Sequence, residues 1–134
     1  MTIIELNERE KYLLEILRFF EFVKEYRYRE YKFLYYINAY PSVHFKNYQL
    51  NQVLSIIGSD YGSTENGYSI IIEKRSVFSY KVLSISDYYE TFGSGMIKGR
   101  NYTLKSQAEF VQQHLMPVIR GEMWIDELIK QRGK

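Results

Sequence analysis

Few side chains in this chain could do chemistry, and their spacing narrows the choice further. The only imidazoles are His44 and His114, and there is no cysteine. That removes disulfides, thiolate nucleophiles and cysteine-based metal sites. Neither histidine lies in an H-x-x-x-H or H-E-x-x-H pattern, so no metal site is expected. His114 sits beside Leu115 in a helical stretch and reads as a packed or surface histidine. A Ser–His hydrolase would need a G-x-S-x-G turn, and none occurs. Gly93, Gly95 and Gly99 cluster like a phosphate cradle, but no Lys-Ser or Lys-Thr helix start follows them. The cluster reads as a connection, and no cofactor is expected. Paired acids occur at Asp126/Glu127, where a solvated helix surface explains them, and at Asp87/Glu90.

Asp87 and Glu90 gain interest from the element that must position them. Tyr68 to Ser86 reads as two strands turning back at Lys74-Arg75-Ser76, with Ile72 facing Phe78, Ile70 facing Tyr80 and Tyr68 facing Val82. In an antiparallel hairpin the start of the first strand and the end of the second lie at one end. The loop Gly58–Gly67 therefore meets the segment Asp87–Gly95. Asp60, Tyr61 and Glu65 come beside Asp87, Tyr88, Tyr89 and Glu90: four carboxylates and three tyrosines without Lys or Arg. Tyr-rich loops with polar companions suit protein recognition. An acidic patch suits a basic partner surface. Any one of these residues is equally an ordinary loop residue.

The remaining elements follow from periodicity. Asn7-Glu8-Arg9-Glu10 has capping-box form, and Leu13, Leu14, Leu17, Phe20 and Val23 continue at helical spacing, predicting a helix from Asn7 to Arg29. Tyr31–Ile37 is rich in strand-favouring aromatics, although a helix through Tyr36 stays open, and Val43–Phe45 reads as a short strand. Leu50, Val53, Leu54 and Ile57 recur at i, i+3, i+4, i+7, predicting a helix over Tyr48–Ile57 capped by Gly58. Met96–Thr103 reads as a third strand of the meander. Ser106-Gln107-Ala108-Glu109 reads as a second capping box, opening a helix with Phe110, Val111, Leu115, Val118 and Ile119 as its stripe and Pro117 as a kink. A last helix, Glu122–Gln131, turns Trp124, Ile125, Leu128 and Ile129 inward.

Composition sets the frame. The 134 residues suffice for one domain over residues 1–134 with a real core. Hydrophobic residues make up 46% and charged ones 25%, which argues against disorder. The aromatic share is 17%, with 14 tyrosines, enough to furnish a binding surface and to leave room for a homodimer. A net charge of +2 gives no electrostatic footprint for nucleic acid, which is not expected as the partner. The stretch Met1–Tyr12 lacks a signal-peptide pattern and no apolar run approaches the ~18–20 residues of a membrane span, so the expectation is a cytoplasmic domain.

The plan of capped N-terminal helix, central meander and C-terminal helix closing on Val118–Asp126 resembles small immunity proteins of bacterial polymorphic-toxin systems. That resemblance implies a non-enzymatic inhibitor that binds and blocks a cognate toxin. The expected fold is α+β: a small antiparallel β-sheet of three to five strands packed against N- and C-terminal helices. The expected function is protein binding of the immunity or antitoxin type, without catalysis. The alternative is an RNA-binding or regulatory module using the basic–aromatic run Arg27-Tyr28-Arg29-Glu30-Tyr31-Lys32-Phe33, which otherwise reads as cations at a helix C-terminus.

Overall fold

A computed structural model describes residues 8–31, 42–58, 68–92 and 103–132. The fold is α+β, with one five-stranded antiparallel sheet in chain order: β1 (Arg29–Tyr31), β2 (Ser42–Asn47), β3 (Gln52–Gly58), β4 (Tyr68–Arg75) and β5 (Tyr80–Ser84). Helix α1 (Glu8–Phe20) precedes the sheet, and α2 (Leu104–Phe110), α3 (Met116–Ile119) and α4 (Ile125–Arg132) follow it.

Alternation decides which sheet face is covered. Phe45, Leu54, Ile56, Ile70, Ile72 and Leu83 point to one side and are buried there. They meet Ile16, Phe20 and Val23 from the N-terminal helical segment and Phe110, Val111, Leu115, Val118 and Ile119 from the C-terminal one. Burying a side chain of this size contributes about 1.5–3 kcal/mol, so this layer dominates stability. The opposite face carries His44, Lys46, Val53, Ile57, Ile71, Glu73 and Val82, all partly or wholly exposed.

The first helix is shorter than its periodicity implies. It ends at Phe20, tightens into a 3₁₀ segment over Glu21–Tyr26, and stops at Arg27 in a left-handed conformation (φ 72°). Its buried stripe is Ile16, Phe20 and Val23, whereas Leu14 is exposed.

The helix expected at Tyr48–Ile57 is corrected to a turn and a strand. Leu50 and Asn51 belong to the β2–β3 turn, with Asn51 at φ 52°, and β3 runs from Gln52 through Gly58. Gln52, Leu54 and Ile56 face inward, while Val53 and Ile57 face out. The apolar spacing fits both periods over so short a run, and pairing with β2 and β4 on both sides selects the strand. Gly58 pairs with Tyr68 instead of capping a helix.

The second helix begins three residues before the expected box. Thr103 is its N-cap, with Oγ1 accepting from the Ser106 N–H at 3.0 Å. A π-turn over Val111–Leu115 separates α2 from α3, and Pro117 follows in the first turn of α3. Proline brings no backbone N–H, so a widened turn before it absorbs the missing hydrogen bond. The apolar stripe expected here is buried, as are Ile125 and Leu128 of α4. The segments Lys32–Ile37 and Met96–Tyr102, with their expected strands, lie outside the described residues.

A buried hydrogen-bond relay ties the sheet to the C-terminal helices. The Tyr28 hydroxyl donates to the Ile119 carbonyl (2.8 Å) and accepts from Gln52 Nε2 (2.7 Å). Gln52 Nε2 also donates to the Val118 carbonyl at 2.9 Å. Burial pushes the Tyr28 hydroxyl pKa well above its ordinary value, so it acts only as a neutral donor and acceptor. No described helix is long and apolar enough to cross a membrane.

Candidate functional site

The β4–β5 hairpin carries the expected residues at one end and an unexpected feature at the other. Its register differs from the expected one: Ile72 pairs with Leu83, Glu73 with Val82 and Arg75 with Tyr80. The turn spans Ser76–Ser79 and not Lys74–Ser76. Phe78, expected opposite Ile72 on an apolar face, instead stands at the tip with 97% of its surface exposed, beside Val77 at 89%. Tyr80 and Val82 add two further half-exposed side chains on the uncovered sheet face. Isolated exposed apolar residues are ordinary, but four on one hairpin form a patch.

Polar contacts close this tip. The Ser76 N–H donates to the Ser79 carbonyl (2.8 Å), the Ser79 N–H donates to Ser76 Oγ (3.1 Å), and the two hydroxyls lie 2.5 Å apart. Two serines thus close a turn that has no glycine. Behind it, the Arg75 N–H donates to the Asn51 carbonyl (3.1 Å) and Asn51 Nδ2 returns a bond to the Arg75 carbonyl (3.0 Å), fastening the hairpin to the β2–β3 turn. The Tyr80 hydroxyl donates to Glu73 Oε2, while the Arg75 guanidinium lies 5.2 Å from the Tyr80 ring centroid. These bonds tie the backbone on both sides of Val77 and Phe78.

At the opposite end the chain passes from β5 into a 3₁₀ segment, Ile85–Tyr88. Asp87 and Glu90 are exposed and Tyr88 is half-buried. Burial first, then the carboxylates of Asp126 and Asp87, push the Tyr88 hydroxyl pKa up. Asp126, set aside in the sequence as a solvated acid, therefore joins the acidic end through the fold. Tyr89 does not belong to this surface. It is buried, its ring meets Phe110 edge-on (4.9 Å, 86°), and its hydroxyl accepts from Gln107 Nε2 at 2.9 Å. A 3₁₀ turn sends successive side chains about 120° apart, so adjacent tyrosines part company. Asp60, Tyr61 and Glu65 lie outside the described residues.

The histidines are both packed. His44 Nδ1 lies 2.8 Å from Ser55 Oγ and Nε2 lies 3.2 Å from Ser42 Oγ on the uncovered sheet face. Ser55 is buried (3% exposed). His114 stacks on Phe92 at 5.3 Å. Among the described residues no three His, Asp or Glu converge as a metal site.

Burial lowers the His44 pKa, and the nearby Glu73 carboxylate partly opposes that. The folded site thus resists a proton that the unfolded chain takes up near pH 6.5. Stability should be greatest above that pH, fall on acidification through it, and level off below the folded pKa. A lower urea midpoint at pH 5.5 than at pH 7.5, with the difference reduced in His44→Gln, is the expected result.

No protein-family model, curated protein or solved structure matches the chain.

Proposed function

We propose that the chain is a non-enzymatic protein-binding module of the immunity type, acting in the cytoplasm to bind and block a cognate toxin domain. One observation carries the reading: Val77 and Phe78 stand almost fully exposed on a turn clamped to hold them there. Leaving a phenylalanine in water forgoes about 2–3 kcal/mol of burial, which a partner's pocket recovers. The resemblance noted in the sequence supplies the partner class.

The acidic end supplies the second contact. Eight residues of β4 at about 3.3 Å each extend roughly 26 Å, comparable with the width of a standard interface of ~800 Å² per partner. A single partner lying along β5 therefore reaches from Phe78 to Asp87. A basic region on that partner would face Asp87, Glu90 and Asp126.

The test uses the product of the adjacent reading frame as partner. Co-expression should relieve its toxicity, and the two chains should co-purify. Asp87→Lys with Glu90→Lys should slow association about tenfold at low salt and flatten its salt dependence, with dissociation and melting temperature little changed. Undiminished toxicity without complex formation would remove the immunity reading. An association rate untouched by the two reversals would remove the acidic end from the interface.

A further inference from the structure

The geometry points to a second site, for single-stranded nucleic acid, in a groove at the β1 edge of the sheet, across the sheet from β5. The groove has a volume of about 830 Å³ and lies between the segment 24–30 and the β2–β3 turn. Tyr28 and Asn47, both buried, belong to its lining, with Lys24, Arg27 and Arg29 on one side and Tyr48 and Gln49 on the other. Asn47 fastens the two sides: its Nδ2 donates to the Tyr26 carbonyl (3.0 Å) and its Oδ1 accepts from the Leu50 N–H (2.9 Å).

Two features call for an anion there. Arg27 occupies a left-handed backbone position (φ 72°) that glycine or asparagine would adopt at lower cost, so a long cation is placed where the backbone disfavours it. Neither Arg27 nor Arg29 has a carboxylate partner among the described residues, and the one acid in the lining, Glu30, is drawn to Lys24 at 3.9 Å. The lining carries three cations against Glu30, an excess that the chain's small net charge does not display.

The aromatic content decides what kind of anion fits. Tyr48 is 65% exposed, and Lys46 Nζ lies 4.8 Å from its ring centroid. A cation-backed open ring is a platform for an unpaired base, and the arginines beside it suit the phosphates that follow. A duplex hides its base faces, and an acidic peptide would meet the cations without using the ring. The ligand class is therefore a phosphodiester strand with free bases.

Fluorescence anisotropy with labelled twelve-residue oligo(U) and oligo(dT) tests this. Binding should be measurable at 50 mM NaCl and weaken roughly 15–20-fold by 200 mM, as three phosphate contacts on a single strand require. Arg27→Gly combined with Arg29→Gln should weaken it at least tenfold. Glycine suits the left-handed position, so the melting temperature should hold or rise. Tyr48→Ala should weaken oligonucleotide binding at least threefold while leaving any polyphosphate binding unchanged. Absence of binding at 50 mM NaCl, binding indifferent to the arginine changes, or equal affinity for poly-glutamate would each overturn the proposal.

Discussion

Val77→Ser combined with Phe78→Ser should weaken partner binding by a hundredfold or more while leaving the fold intact. Neither side chain contributes to the core, and exposed substitutions of this kind shift stability by about 0.5 kcal/mol or less. Serine also favours a turn more than valine or phenylalanine does, so thermal stability should hold or improve. In the proposed complex the same residues supply the apolar anchors at the tip end of the interface, where truncation typically costs about 2–4 kcal/mol. At about 1.4 kcal/mol per tenfold, two such losses exceed a hundredfold in Kd. Ser76→Ala with Ser79→Ala should give an intermediate loss, because it keeps the apolar surface and frees the turn that presents it. Calorimetric titration and thermal melts measure both quantities. Full affinity in the Val77/Phe78 double variant would place the interface elsewhere.

Tyr28→Phe should destabilise the protein by about 2 kcal/mol, and Tyr28→Ala by about 3–5 kcal/mol. The phenylalanine change removes one hydroxyl, yet that hydroxyl satisfies both the Ile119 carbonyl and Gln52 Nε2 in a buried setting. Gln52 Oε1 already lies buried without a hydrogen-bond partner among the described residues, so the relay holds an idle acceptor but no spare donor for the Ile119 carbonyl. Alanine additionally opens a cavity beneath the groove that Tyr28 lines. Urea denaturation of Tyr28→Phe, Gln52→Leu and the double variant gives the coupling. The double variant should cost less than the sum, since removing both partners spares the penalty of stranding one. Additive losses would mean that the relay carries no shared energy.

The parts of the fold readable from sequence were those where one signal dominated. The stripe Phe110, Val111, Leu115, Val118 and Ile119 fits only a helix long enough to bury it, and all five are buried. Residues 50–57 have a spacing that reads as a helix but fits a strand as well, and hydrogen bonding to the neighbouring strands on both sides makes β3 of the chain from Gln52 on. The hairpin register was illegible for a different reason. Its turn is made by two serine side chains acting across Val77 and Phe78, whereas turn propensity is carried by glycine, asparagine and proline. A turn at Lys74–Ser76 puts Phe78 opposite Ile72, whereas the serine turn puts it at the tip. The acidic end was legible in composition but not in membership: the 3₁₀ turn sends Tyr89 inward, and Asp126 arrives from a helix far along the chain.

The order β1 to β5 follows the chain, so every strand partner lies close in sequence. Such pairing has a low loop-closure cost and forms early in folding. The contacts that close the molecule are of the other kind: Tyr28 reaches Ile119 across 91 positions, and Gln52 reaches Val118 across 66. During synthesis the sheet thus precedes the C-terminal half of its cover, and the N-terminal helical segment alone shields its apolar layer until the last third of the chain arrives. Truncation before Leu104 would leave a meander with much of that layer open, a substrate for aggregation or degradation and not a smaller version of the protein.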